Sequence, residues 1–413
     1  MSFGSSSSHG WLRRVIVATL LAPLAAALSL TAVTAIRKRL RGAGTAPLPR
    51  IEAEHFRIGG DNEVQVYVSG AALYDDMLAA IAGAHRRILL ESYIIKGDAM
   101  GRRFKTALRQ AAARGVEVCV IYDGFANLVV DPRFFDFGPD VKVLRYPILP
   151  RRLGFLSPRS WGRDHRKILV VDDTIGFVGG YNIGSLYADE WRDTHIAVTG
   201  PAVWDLENAF IDFWNSVRPH EPLELHSEAT WDPHVRAHRN VPRQLMYPIR
   251  GMYLEAIDRA TERIEITQAY FIPDVNILEA LIDASHRGVR VRILVPKVSN
   301  HAVADFVARS YFSRLLDAGI EILRYRDHMV HAKTMTIDRE WSTIGTANID
   351  RLSLTGNYEI NLEILDEGLA EAMSRIFARD AERAEVLDAE TWRSRPTVAR
   401  LYERLLRPWR PLV

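Results

Sequence analysis

The chain is poor in cysteine and nearly balanced in charge, which excludes a disulfide framework and argues against a polyanion partner. Its 413 residues include one cysteine. Cys119 therefore has no intrachain disulfide partner, and its place inside the apolar run VEVCVIYD marks it as a packing residue. There is no cysteine pair, so the sequence offers no cysteine-based zinc site and calls for no cofactor. A net charge of +2 argues against a nucleic-acid coat, and no nucleic-acid partner is expected. A hydrophobic content of 48% with 25% charged residues excludes wholesale disorder. The length predicts two domains with additions.

Long uncharged runs are scarce as well, and one approaches bilayer length. Val15 to Ile36 is 22 residues without a charge, bracketed by Arg13-Arg14 and by Arg37, Lys38, Arg39 and Arg41. A transmembrane helix over 15–36 is expected. The basic excess on its C-terminal side predicts a single N-terminal anchor in the cell membrane with the rest of the chain cytoplasmic. The competing reading is a cleaved signal peptide, since LAAALS resembles a small-residue cleavage site. The expected division is 1–14, Ser/Gly-rich and disordered; 15–36, the anchor; 37–63, a basic segment and linker; 64–225, a first domain; and 226–413, a second.

What the chain has in abundance is internal repetition. Arg163 to Asn182, RDHRKILVVDDTIGFVGGYN, places His165 and Lys167 two apart before an apolar run, a turn at Asp172 and a Gly-Gly-x-Asn close. Residues two apart on an extended chain share a face, so imidazole and ammonium reach one pocket. Met329 to Asn348 repeats the arrangement with His331, Lys333, Asp338 and Asn348. His to Asn is 17 in both copies, and His to a following acid, Asp193 or Glu359, is 28 in both. AAARGVEVCVIYD and ASHRGVRVRILVP also match, as do VKVLRY and IEILRY. Helical and apolar strand patterns alternate in each copy, predicting an α/β fold.

The double H-x-K-x-x-x-x-D pattern, with Gly-x-x-Asn and the acid, resembles the phospholipase D superfamily. ESYIIKGD, QAYFIPD, WRDTH and NYEINLE are most similar to the bacterial cardiolipin synthases within it. The resemblance implies two repeated domains, each a mixed sheet flanked by helices, with the active site at their pseudo-twofold interface. It implies His165 as nucleophile and His331 as acid, an order that the symmetric spacing leaves open.

Two imidazoles can divide the labour of attack on phosphorus and protonation of the departing alkoxide. Lys167, Lys333, Asn182 and Asn348 suit the phosphate oxygens, while Asp193 and Glu359 suit the far nitrogens of the imidazoles. Asp172 and Asp338 read as turn and salt-bridge residues. Tyr146 to His165 spans 19 positions where Tyr325 to His331 spans 6, so the first copy carries a 13-residue insertion. Its Arg151, Arg152, Phe155, Arg159 and Trp161 suit either an anionic lipid surface or an ordinary solvated loop. The expected function is transfer of a phosphatidyl group between phospholipids at a membrane. A hydrolytic phospholipase D, a nuclease and a lipid-binding scaffold are the competitors.

Overall fold

The computed structural model describes residues 47–150, 157, 160–326 and 328–406, together with Ser29. The segment read as an anchor, 15–36, lies outside these apart from Ser29, as do Arg151, Arg152, Phe155 and Arg159. Among the described residues no helix is long and apolar enough to cross a membrane.

The first half contributes β1 (Glu54–Ile58), β2 (Asn62–Tyr67), β3 (Arg87–Ser92), β4 (Glu117–Asp123), β5 (Val141–Tyr146), β6 (Lys167–Val171), β7 (Ile175–Gly179), β8 (Trp191–Arg192) and β9 (His195–Thr199). The second contributes β10 (Val235–Asn240), β11 (Arg263–Gln268), β12 (Arg290–Pro296), β13 (Glu321–Tyr325), β14 (Met329–Val330), β15 (Lys333–Ile337), β16 (Trp341–Gly345), β17 (Glu359–Leu365) and β18 (Ala384–Val386). Among the described residues sixteen of them form two eight-stranded sheets, ordered β1-β2-β9-β7-β6-β3-β4-β5 and β10-β17-β16-β15-β11-β12-β13-β18, and β8 pairs with β14. The second order repeats the first from β2 onward and adds β18 at the far edge, so the repetition seen in sequence extends to topology.

Each sheet joins a parallel block, β3-β4-β5 or β11-β12-β13, to an antiparallel one. Burial on both faces makes β3, β6 and β15 continuous buried runs rather than alternating ones. Helix Ala99–Ala113 crosses from β3 to β4, and Val275–His286 from β11 to β12. Asp98 and Asp274 cap their N-termini, accepting the N–H of Gly101 and of Asn276 and Ile277. Gly115 and Gly288 close them at φ +91° and +94°, where a side chain would be strained.

The two copies differ after the second parallel strand. β12 leads into the helix Ala302–Asp317, whereas β4 leads into a loop with one short 3₁₀ turn, Pro132–Phe135. β1 lies within the 37–63 stretch that reads as linker and β10 near the start of the second domain, and both are edge strands carrying charged residues.

One buried cluster is common to both halves. It joins Leu89, Ile121, Leu144 and Ile168 of the first sheet to Ile344, Ile360, Leu362 and Ile364 of the second. Helix Val203–Val217 supplies Phe210, Phe213 and Trp214 to this layer, and helix Glu367–Glu382 supplies Leu369, Met373 and Ile376. Each helix lies on the strands of its own sheet and touches an edge strand of the other, β10 or β1, so one face of both sheets is buried in a shared layer that fixes one half against the other. Cys119 is fully buried in this cluster, and burial pushes its thiol up to about 12, an inert packing group.

Candidate active site

Both His-x-Lys segments enter a first antiparallel strand, β6 or β15, from the same side. Just before it, each approach segment pairs across the interface. His165 N donates to Tyr358 O at 3.1 Å and Tyr358 N donates to Arg163 O at 2.9 Å. His331 N donates to Arg192 O at 2.7 Å, where β14 runs parallel to β8. These crossings set residue 165 beside residue 359 and residue 331 beside residue 193.

The acids therefore serve the histidine of the opposite half. His165 Nδ1 lies 3.0 Å from both Oε1 and Oε2 of Glu359. His331 Nδ1 lies 2.6 Å from Asp193 Oδ2. The carboxylates engage Nδ1 of each ring, and Nε2 of His331 lies 3.2 Å from Lys333 Nζ. Glu359 is held in turn by the Thr346 hydroxyl at 2.5 Å, and Asp193 accepts from Thr194 N at 2.7 Å. Gly180, at the position matching Thr346, is required by the close approach of Asp193: a Cβ there would sit 2.0 Å from Oδ1.

Lys167 Nζ donates to His165 O at 2.6 Å, and Lys333 Nζ lies 3.0 Å from His331 Nδ1 and also donates to its carbonyl. Asn182 Oδ1 accepts from Ile94 N at 3.0 Å, which leaves its NH₂ end as a donor. Asn348 Oδ1 is buried with no hydrogen-bond partner among the described residues. His165, Lys167, Asp193, His331, Lys333 and Glu359 thus meet at one interface.

Burial shapes the charge of this site. It pushes Lys167 down to about 7 and Lys333 down to about 8. Burial and the two lysines drive His165 well below the ordinary imidazole value, and burial with Lys333 brings His331 to about 3. Burial raises Glu359 to about 8, whereas Lys333 and His331 outweigh burial at Asp193 and keep it below the usual carboxylate value. Without an anion the pocket sheds positive charge, and a phosphodiester would restore it.

Asp172 and Asp338 lie away from this pocket. Each stands at positive φ, 53° and 54°, and opens the hairpin after β6 or β15. The Asp172 carboxylate accepts the N–H groups of His85, Arg86 and Arg87, and that of Asp338 accepts those of Thr261, Glu262 and Arg263. They tie the hairpin to the start of β3 or β11. Trp161, the described residue of the insertion set, is 49% exposed.

Several neighbours were not singled out by spacing. Tyr93 stands edge-on to His165 at 4.7 Å between ring centroids, while Trp191 and Tyr270 flank His331 at 4.9 and 6.4 Å. They lie in ESYIIKGD, WRDTH and QAYFIPD, so the signal was their place at strand ends beside the repeat. Arg192 reaches helix Glu367–Glu382, with Nη2 2.8 Å from Asp380 Oδ2, and also donates to the Asp193 carbonyl and to Thr194 Oγ1. Behind His165, Arg166 donates to Glu91 at 2.6 Å and to Asp164 at 3.3 Å. The second half has Ala332 and Val330 where Arg166 and Asp164 stand.

Comparison with known proteins agrees with this geometry. The family described as "Cardiolipin synthase, PLD-like domain" matches residues 77–214 and 253–381, one match per half. A cardiolipin synthase of Geobacillus sp. (strain WCH70) is 34% identical over 365 residues, covering 85% of this chain and 72% of its own. Cardiolipin synthase 2 of Staphylococcus epidermidis is 32% identical over 363 residues, covering 83% and 73%. Among solved structures, phosphatidylserine synthase of Haemophilus influenzae Rd KW20 superposes with a TM-score of 0.65 at 14% identity, covering 90% of this chain and 96% of that one, a likeness of fold. With the family matched in both halves and relatives of this identity aligned over most of the chain, the protein belongs to the cardiolipin synthase family of phospholipase D-like phosphatidyltransferases.

Proposed function

We propose that the chain makes cardiolipin from phospholipids such as phosphatidylglycerol through a covalent phosphohistidine. The observation that carries this reading is the pair of imidazoles at one interface, each with Nδ1 on a carboxylate of the opposite half and a lysine two residues on. His165 Nε2 attacks the phosphorus of the donor lipid, and His331 protonates the departing alkoxide. In the second step a lipid hydroxyl loses its proton to His331 and displaces His165, regenerating the free ring. Lys167, Lys333, Asn182 and Asn348 hold the nonbridging oxygens and stabilise the charge that develops on them. The order of the histidines rests on family resemblance.

The residues need no metal for these steps. Residues 15–36 are proposed as the anchor that holds the catalytic part at the cytoplasmic face, with residues 64–225 and 226–413 as the two catalytic domains. Incubation of the full chain with phosphatidylglycerol vesicles is the direct test. Cardiolipin and glycerol are the expected products, unchanged by chelator. Phosphatidic acid as main product would replace transfer by hydrolysis, and loss of turnover with chelator would reject the metal-free scheme.

A further inference from the structure

If His165 attacks and His331 handles the proton, the leaving alcohol and the entering alcohol occupy one place in turn. That place is opposite the attacking nitrogen, on the His331 side of the phosphorus. The two sides differ in what surrounds them.

On the His165 side, Tyr93 adjoins the imidazole, and the loop after β4 carries Phe125, Leu128 and Val129, which are 53%, 56% and 85% exposed. On the His331 side the surroundings are polar. Tyr270, edge-on to His331, donates its hydroxyl to Asn300 Oδ1 at 2.5 Å, and the His301 ring lies 5.6 Å from that of Tyr270. Trp191 supplies a second aromatic surface 4.9 Å from His331. Counting from the matched ends of β4 and β12, Asn300 and His301 correspond to Asn127 and Leu128.

These equivalent residues are used differently. Asn127 is buried and spent on structure: its amide donates to Tyr93 O and Asp123 O, and its Oδ1 accepts from Ile95 N. Asn300 and His301 are exposed, and among the described residues neither the Asn300 amide nitrogen nor a His301 ring nitrogen has a hydrogen-bond partner. Their loop is nonetheless held in shape. Ser299 N donates to Asp305 Oδ2 at 3.0 Å and His301 N donates to Ser299 Oγ at 3.0 Å, just before the helix Ala302–Asp317 begins.

We propose that Trp191, Tyr270, Asn300 and His301 form the subsite for the alcohol, and that they select a polyhydroxyl one over a simple alkanol. This deepens the proposed function and rests on it for the side on which the alcohol lies. A glycerol unit offers adjacent hydroxyls, each both donor and acceptor. The Asn300 amide and the His301 ring supply the complementary donors and acceptor, and Trp191 gives its C–H face a surface to lie on. A simple alkanol displaces water from these groups without replacing its hydrogen bonds, and a site built to bond a hydroxyl discriminates strongly against a ligand lacking it. In the transfer step the P–N bond to His165 breaks, the P–O bond to the polyol forms, and the hydroxyl proton passes to His331.

The test is acceptor competition. The full-length protein is given phosphatidylglycerol vesicles with glycerol and ethanol together, and the phosphatidyl products are separated. Substituting His301→Leu, the residue at the matching place in the first half, and Asn300→Ala should each lower the glycerol-to-ethanol product ratio by about tenfold. His301→Gln, which keeps a donor and an acceptor, should restore most of the preference. All three substitutions lie on the surface, where folding tolerates them. An unchanged ratio in both His301→Leu and Asn300→Ala, or the same drop in His301→Gln as in His301→Leu, would overturn the subsite. Because the ratio is read from products, it remains informative even if no phosphohistidine forms, an outcome that would instead reject the covalent scheme.

Discussion

His165 of the first half and Glu359 of the second form a dyad across the domain interface, with Nδ1 at 3.0 Å from both carboxylate oxygens. The reciprocal pair, His331 and Asp193, closes the exchange at 2.6 Å. Each histidine thus depends on the other half for its tautomer, and neither half holds a complete dyad.

This exchange makes the two acid substitutions separable. Glu359→Gln should slow the first chemical step, because it disturbs His165. Asp193→Asn should let an adduct formed from an activated phenyl ester persist, because it disturbs His331. Each should lower turnover on phospholipid by roughly 10²–10⁴-fold, as an orienting carboxylate does elsewhere. Pre-steady-state phenol release separates the two. An adduct that persists in Glu359→Gln and not in Asp193→Asn would mean that the acids serve their own halves.

The histidines themselves should fail differently. His165→Ala should give no covalent phosphatidyl-enzyme, whereas His331→Ala should still be labelled slowly by an ester with an activated phenol, which needs little protonation to leave. Mass spectrometry of the quenched proteins locates the label. Label on His331 in the His165→Ala protein, with none on His165 in the other, would reverse the order.

Anion binding should weaken as the pH rises through the lysine range. Lys167 and Lys333 sit near 7 and 8 in the free site, and a bound anion raises both, so binding takes up protons. The lysines are charged below about 7, and affinity is highest there. Above about 8 each lysine deprotonation works against the anion, as does ionisation of Glu359, raised to about 8, and the affinity for sulfate, whose own charge is constant, should fall by up to about tenfold per pH unit for each group involved. Calorimetric titration from pH 6 to 9 reads this, and a flat profile would show that the lysines stay charged.

Arg192 and Asp380 join the two halves in a buried pair, 7% and 9% exposed at their side chains. Arg192→Met alone strands a buried carboxylate and should cost about 3–5 kcal/mol of stability. Arg192→Met with Asp380→Leu should recover most of that loss. Urea unfolding measures it, and equal losses in the single and double variants would deny the pair its coupling.

Asp172→Ala should cost stability and leave turnover per folded molecule intact. Ala removes three accepted backbone hydrogen bonds and must adopt φ 53°, whereas Asn tolerates that conformation and keeps an acceptor. The expected loss is about 1–3 kcal/mol for Ala and less for Asn. Thermal unfolding and active-site titration together check it. A fall in turnover per titrated site would place Asp172 in the chemistry.

The sequence by itself determined which polar side chains recur, because duplication repeats their types at fixed spacing. His165, Lys167, Asn182, Asp193 and their four counterparts were legible in this way as candidates. The α/β layering was legible too, since buried parallel strands leave unbroken apolar runs such as that of β4. Strands β1 and β10 were not. EHFRI and VRAHRN carry charge on edge strands, and their hydrogen bonds to β2 and β17 make them strands where apolar pattern does not. Only the tertiary structure decided the pairing of acids with histidines. Equal spacing of 28 in both copies is unchanged when the acids are exchanged, so no count along the chain separates the two arrangements. What separates them is the crossing of residues 163–165 and 329–331 onto the opposite half, and the shared buried cluster holds that crossing in place.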